Sequence, residues 1–208
     1  MIAPTLYGLE ISVYTRIARL VALEKGVALA FEAVDPFAEG GLPDWYRALH
    51  PFGKVPALRH GELTLYETSA IARYLDEAFE GPALQPDDPA GRARMTQLAG
   101  IVDAYGYRPM VWGLFVARRH EQAPDVSQAL ADSRRALGAL EALCAGPWLL
   151  GEAVTLADCH LAPVVAYLTV EPEGREALAE RPRLAAWWRR AEARPGWAQH
   201  LRTDNPGA

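Results

Sequence analysis

Ser12, Lys54 with Val55-Pro56, and the pair Glu67-Thr68 are the residues of this 208-residue chain whose types and settings suit the binding of an anion. Ser12 stands just ahead of a helical pattern, where its hydroxyl either caps the helix or donates to an anion drawn by the helix N-terminus. Tyr7 and Tyr14 are competing hydroxyls. Glu67 and Thr68 fall where a strand pattern gives way to a helical one. The unpaired amides and partial positive charge there suit a bound carboxylate, and an ordinary N-cap uses the same position. The proline of Val55-Pro56 marks a strand edge that needs one donor fewer, and an exposed edge is what binds a peptide.

Composition excludes several other classes. Half of the residues are hydrophobic and 23% are charged, which fits a globular chain rather than a disordered or disulfide-scaffolded one. The length suits one generous domain or two small ones. With 21 Lys and Arg against 26 Asp and Glu, the formal charge is −5, so there is no global positive field to hold a phosphate backbone and nucleic acid is not expected as a partner. The two cysteines, Cys144 and Cys159, form no CxxC or Cys/His cluster. No metal site is therefore expected, the pair reads as small core residues, and a reducing, cytoplasmic setting fits. Met1-Ile-Ala-Pro-Thr lacks a basic region followed by an apolar one, and no apolar run approaches the ~18 residues that span a bilayer. A soluble protein with no membrane partner is expected.

The elements that must carry these residues can be read from periodicity. Ile2 to Tyr7 reads as a strand, Thr15 to Lys25 as a helix stopped by Gly26, and Ala28 to Val34 as a second strand, which makes a βαβ unit. Val55 to Arg59 and Glu62 to Leu65 flank His60-Gly61 as a hairpin. Ile71, Tyr74, Leu75, Ala78 and Phe79 then form the apolar stripe of a helix facing that sheet. From Gly81 to Gly91 three prolines and two glycines fall within eleven residues, which places a boundary there. Beyond it the patterns are helical. Ala90 to His120 should bend or break at Gly106 and Pro109, and Val126 to Cys144 is a core helix. Thr155 to Asp158 caps a helix bearing Leu161, Val164, Val165 and Leu168, and Arg183 to Ala193 forms another behind Pro182. The expected fold is an α/β domain (βαβ-ββα) over residues 1–80, a linker at 81–89, and an all-α domain over 90–208.

These landmarks resemble one family throughout. Leu6-Tyr7-Gly8, Ser12, Pro51-Phe-Gly-Lys-Val-Pro-Ala-Leu58, Glu67-Thr-Ser-Ala-Ile71 with Tyr74-Leu75, and Thr155-Leu-Ala-Asp158 are together similar to the glutathione S-transferases. A lone Leu-Tyr-Gly or capping box is weak, whereas the proline-flanked segment followed nine residues later by Glu67-Thr-Ser is specific. The resemblance implies a thioredoxin-like N-terminal domain and glutathione as cosubstrate. It implies a cis bond before Pro56, with Val55 pairing its backbone to the cysteinyl part of the tripeptide. Thr68, beside Glu67, would bind the γ-glutamyl carboxylate, and Lys54 would be counter-ion to the glycyl carboxylate. Ser12, four residues after Gly8, matches the catalytic serine of phi- and theta-like members and would stabilise the thiolate. The cysteine of omega-like members and the Ser-Ser-Cys run of maleylacetoacetate isomerases are absent.

An electrophile pocket is expected between the domains, with Tyr14, Tyr105, Tyr107 and Trp112 as aromatic candidates beside Met110. Asp103 resembles an acidic residue that in some members reaches the γ-glutamyl ammonium across a dimer; an exposed helix aspartate is the plain alternative. The resulting expectation is a cytoplasmic, homodimeric glutathione transferase acting in detoxification on a small apolar electrophile. Two other readings stay open: a non-catalytic binding or assembly module of the same fold, and a glutathione-dependent dehalogenase or peroxidase.

Overall fold

The computed structural model describes residues 2–120 and 125–203; Met1, 121–124 and 204–208, which the expected domain spans include, lie outside the described residues. The chain divides into two compact units, Met1–Ala83 and Leu84–Ala208.

In the first unit β1 (Thr5–Gly8), α1 (Val13–Lys25) and β2 (Ala30–Ala33) form the βαβ unit, with β1 and β2 parallel. β3 (Ala57–His60) and β4 (Leu63–Tyr66) complete a four-stranded sheet in the order β2-β1-β3-β4, with β3 antiparallel to both neighbours. The expected hairpin exists one residue further along. His60 pairs with Leu63, so the connection is Gly61-Glu62, and Gly61 takes the positive φ of 59° that the turn needs. β2 is shorter than expected and mostly exposed, since it is an edge strand. Phe31 on it is covered by the Arg19 guanidinium 5.0 Å from the ring centroid.

The helix α3 (Thr68–Ala78) buries Ile71, Ala72 and Leu75 and packs against α1, whose Ile17, Ala18, Leu20 and Val21 are fully buried. A buried ion pair pins the two together: Lys25 Nζ lies 3.2 Å from Asp76 Oδ1 and donates to the carbonyl of Pro82 at 3.0 Å. Removing either charge would leave the other buried, at a cost of about 3–5 kcal/mol. Residues 44–49 lie between the second and third strands and carry no pattern of their own in the sequence. They form a short helix, α2 (Asp44–Leu49), which brings Tyr46 into a cluster with Tyr7, Val34, Leu42 and Ala57.

In the second unit α4 (Pro89–Ile101) leads without a break into π-helical turns at Val102–Gly106 and Arg108–Val116, and then into α5 (Ala117–His120). Pro109, expected to bend or break the helix, sits in the second π-helical segment. The wider turn hydrogen-bonds to i+5, so the ring avoids the carbonyl it would strike in an α-helix. α6 (Ser127–Leu143) and α9 (Pro182–Ala193) match their periodicity, while α8 (Pro172–Ala179) and α10 (Trp197–Leu201) have apolar stripes too short to be read in the sequence. α7 (Leu156–Leu168) is buried on every side, with Pro163 inside it, and it is the centre of this unit. No helix among the described residues is long and apolar enough to cross a membrane.

Asp158 organises that centre. Its Oδ1 accepts from the Leu149 amide at 2.9 Å and Trp187 Nε1 at 2.8 Å; its Oδ2 accepts from the Thr155 amide at 2.7 Å and the Thr155 hydroxyl at 2.8 Å. Burial pushes this carboxyl up, and the four donors pull it back toward ionisation. Asp158→Ala should therefore cost about 3–5 kcal/mol, as donors lose a buried anion. Asp158→Asn should not rescue it, because its NH2 group would face backbone or indole donors in either orientation. Urea unfolding measures both, and a loss below ~1 kcal/mol in the alanine variant would contradict this role.

Candidate active site

Strand register determines where the chemistry-bearing segments go. Tyr7 pairs with Ala57, and Ala57 with Tyr66, so these three residues form one row across β1, β3 and β4. The chain that leaves β1 beyond this row reaches Ser12, the chain that enters β3 before it carries Lys54-Val55-Pro56, and the chain that leaves β4 becomes Glu67-Thr68. Three segments separated by up to 56 residues in sequence thus meet at one end of the sheet.

Ser12 is the N-cap of α1: its backbone is extended (φ −67°, ψ 127°) and its Oγ accepts a long 3.4 Å contact from the Thr15 amide. The side chain is half-buried, and the first turn of α1 carries no acidic residue to compete for an incoming anion. The cap is the one role the contacts give this hydroxyl, and a contact this long is a weak claim on it. Tyr7 is buried in the cluster with Tyr46, edge-on to Trp45 at 5.6 Å, which makes it a packing residue. Tyr14 is half-buried in the first turn of α1.

The bond between Val55 and Pro56 is cis. Val55 is half-buried against the Tyr7–Tyr46 cluster, and the Tyr46 hydroxyl donates to the Lys54 carbonyl at 2.7 Å. Burial pushes the Tyr46 phenol above its ordinary range, so it remains a donor. The Lys54 side chain is exposed. Among the described residues the Val55 backbone joins no strand ladder, which leaves an edge for an extended peptide.

Glu67 is the N-cap of α3 and has φ 69° and ψ 114°, the one non-glycine positive φ among the described residues. Its carbonyl accepts from the Ala70 and Ile71 amides, both at 3.0 Å. No side chain caps the helix and no acidic residue stands in its first turn, while Thr68 is buried at the junction. The strained backbone at Glu67 thus leaves the first amides of α3 without a side-chain acceptor.

The aromatic candidates divide. Tyr105 and Trp112 are exposed and line a cleft of about 890 Å³ between the π-helical segments and α6, together with Ile101, Arg108, Pro109 and Ala129. Tyr107 is not among its lining residues; its hydroxyl accepts from Trp112 Nε1 at 2.8 Å and burial pushes the phenol up. Met110 is buried core, and Tyr14 belongs to the other unit. One carboxylate oxygen of Asp103 is buried, and its charge acts on the buried His160. Cys144 and Cys159 are buried with free thiols, and burial pushes the Cys144 thiol up.

Sequence reasoning passed over two residues of the first unit. Tyr46 donates to the Lys54 carbonyl, and His50, stacked on Tyr46, accepts from the Gly53 amide just before it; the signal was an aromatic-rich window, Trp45 to Phe52, with a histidine inside it.

Comparison with known proteins agrees over most of the chain. Residues 6–83 match the family model described as Glutathione S-transferase, N-terminal domain, and residues 107–195 match Glutathione S-transferase, C-terminal domain. Glutathione S-transferase F14 of Arabidopsis thaliana is 34% identical over 195 residues, covering 88% of this chain and 76% of its own. Glutathione S-transferase 3 of Zea mays is 30% identical over 202 residues, covering 92% and 90%. The crystal structure of a theta class glutathione S-transferase from Xanthomonas axonopodis pv. citri with glutathione bound superposes with a TM-score of 0.82, at 30% identity over 98% of this chain and 99% of that one.

Gly8 determines how closely β1 approaches α1. A Cβ there would lie 2.5 Å from Thr15 Oγ1 and 2.8 Å from Thr15 Cγ2. Gly8→Ala should therefore destabilise the fold by about 1–3 kcal/mol, and adding Thr15→Ala should restore part of the loss. Strict additivity of the two changes in denaturant unfolding would refute this contact.

Proposed function

The chain belongs to the glutathione S-transferase family, and on that premise we propose that it is a glutathione transferase in which the sheet end bearing Ser12, Val55 and Thr68 holds the tripeptide. The observation that carries the reading is the convergence of three separate segments on one row of the sheet. Each presents a group matched to part of glutathione. The Val55 backbone edge pairs with the cysteinyl peptide, the uncapped N-terminus of α3 with Thr68 and Glu67 receives the γ-glutamyl end, and exposed Lys54 faces the glycyl carboxylate.

Ser12 then acts on the sulfur. A free thiol titrates near 8.5, so about two pKa units of depression, or ~2.7 kcal/mol, leave it mostly ionised at neutral pH. A hydroxyl donor to the anion supplies ~1.5–3 kcal/mol and the N-terminus of α1 adds ~0.3–1, which suffice together. The thiolate attacks an apolar electrophile, forming a carbon–sulfur bond as a leaving group departs with its electron pair or, in an addition, as the π pair shifts to the neighbouring atom and takes up a proton from solvent. Tyr105 and Trp112, which line a cleft, are the stronger pocket candidates. Tyr107 and Tyr14 are the weaker ones, since neither lines that cleft. A cytoplasmic location and a role in detoxification complete the reading.

We further assign the active species as a homodimer, with the exposed Trp45 and Phe52 as apolar surface for a second copy to cover. Sedimentation at micromolar concentration should give about twice 22.8 kDa. A fully active 22.8 kDa species would contradict it.

Ser12 and Thr68 should fail in different ways. Ser12→Ala keeps the peptide and carboxylate contacts, so glutathione affinity should stay within a few-fold. The bound thiol's pKa should rise by about one to two, and neutral-pH turnover should fall ~10- to 100-fold, recovering as pH rises. Thr68→Val should weaken glutathione binding roughly tenfold to a hundredfold at every pH. Thiolate absorbance of bound glutathione against pH, with calorimetry, separates the two. Coincident thiolate titrations in wild type and Ser12→Ala would remove Ser12 from the chemistry.

A further inference from the structure

His50 lies under the meeting point of the two binding segments and is assigned no task by the reading above. It closes α2 and is 3% exposed. Its backbone amide donates to the Tyr46 carbonyl and its carbonyl accepts from the Gly53 amide, both at 2.9 Å, so it anchors the loop that leads into Lys54-Val55. Its ring stacks on Tyr46 at 6.5 Å between centroids and tilts against Tyr66 at 5.0 Å, with Phe52 edge-on at 6.3 Å. Tyr46 holds the Lys54 carbonyl, and Tyr66 is the last residue of β4 before Glu67. One imidazole therefore bridges the support of both halves of the site.

Its Nδ1 is buried and meets no hydrogen-bond partner among the described residues. In the uncharged ring that nitrogen is a bare acceptor, whereas in imidazolium it is a buried N–H offered only the residue's own backbone carbonyl, which already accepts from the Gly53 amide, and this is the costlier state. Tyr46 from α2, Lys54 from the loop, and Tyr66 with Glu67 from the end of β4 are the titratable and charged groups that face the ring. Burial pushes the imidazole below its ordinary value and prevails over the Glu67 carboxylate and the residue's own backbone carbonyl, which pull it up, while Lys54 adds a smaller push down.

We propose that His50 is a positioning residue for glutathione: its uncharged ring, held between Tyr46 and Tyr66, fixes the Lys54-Val55 edge relative to the Glu67-Thr68 corner, and protonation loosens that alignment. The inference rests on the glutathione reading of the site. Its sign follows from linkage. A histidine that takes up a proton less readily when folded contributes stability that is complete above the unfolded value near 6.5 and is lost as pH falls below it. If ligand binding also needs the uncharged ring, bound ligand must lower its titration midpoint further.

S-methylglutathione is the probe, because its sulfur does not ionise and its carboxylates stay charged above pH 5. Calorimetry on the full chain should show affinity falling about three- to tenfold from pH 7.5 to 5. His50→Phe keeps a stacking ring and cannot titrate, so its profile over that range should be flat whatever its absolute affinity. In wild-type protein, the NMR titration midpoint of His50 should move down by about 0.5 or more on saturation, which corresponds to at least threefold in affinity. A midpoint unmoved by ligand, or an equal pH dependence in His50→Phe, would overturn the assignment and leave the glutathione site standing. Absence of S-methylglutathione binding at every pH would overturn both.

Discussion

The register that aligns Tyr7, Ala57 and Tyr66 is the constraint on which the rest of the site depends. Side chains alternate across a sheet with period two, so a one-residue slip of β3 would exchange the faces of Ala57 and Leu58. Both are fully buried, and Leu58 is flanked in its row by Leu6 and Leu65 while Ala57 lies against Tyr7. The two faces are packed by different shapes, and only one register satisfies both. That register also decides which loop ends are neighbours, so apolar packing places Ser12, Val55 and Thr68 without any interaction among the three.

The supporting elements shape this end of the sheet. Gly8 lets α1 start close against β1, Tyr46 holds the Lys54 carbonyl from behind, and the positive φ of Glu67 turns the chain so that α3 begins without a side-chain cap. Each departs locally from the lowest-energy choice: a missing Cβ, a buried phenol, a strained backbone. The packing of α1 on α3, pinned by Lys25 and Asp76, over-determines the fold around them. The second unit follows the same logic with Asp158, whose four donors come from three separate stretches of chain.

Much of this was legible in the sequence because it rests on local pattern. The βαβ-ββα order, the helical second half and the Thr155–Asp158 box follow from periodicity and capping chemistry, and the family resemblance pointed to Val55, Thr68 and Ser12. The hairpin was misplaced by one residue because a glycine beside a histidine does not reveal which pair the turn contains. The helix α2 escaped because six residues cannot display a stripe. Gly106 and Pro109 suggested a bend or a break, and the sequence does not show that the irregularity takes the form of π-helical turns. His50 was passed over because its setting is tertiary: Tyr46 is four residues away on α2, but Tyr66 reaches it across the fold. A buried nitrogen with no partner has no signature in sequence.

The central claim is that the three segments act as one binding surface for one tripeptide. The most direct test is titration of the isotope-labelled chain with glutathione, following backbone amide shifts residue by residue. The amides of Ser12 and Val13, of Val55, and of Thr68 and Ser69 should respond together with a single midpoint concentration. Shifts at only one of these segments, different midpoints, or a response confined to residues 84–203 would contradict it.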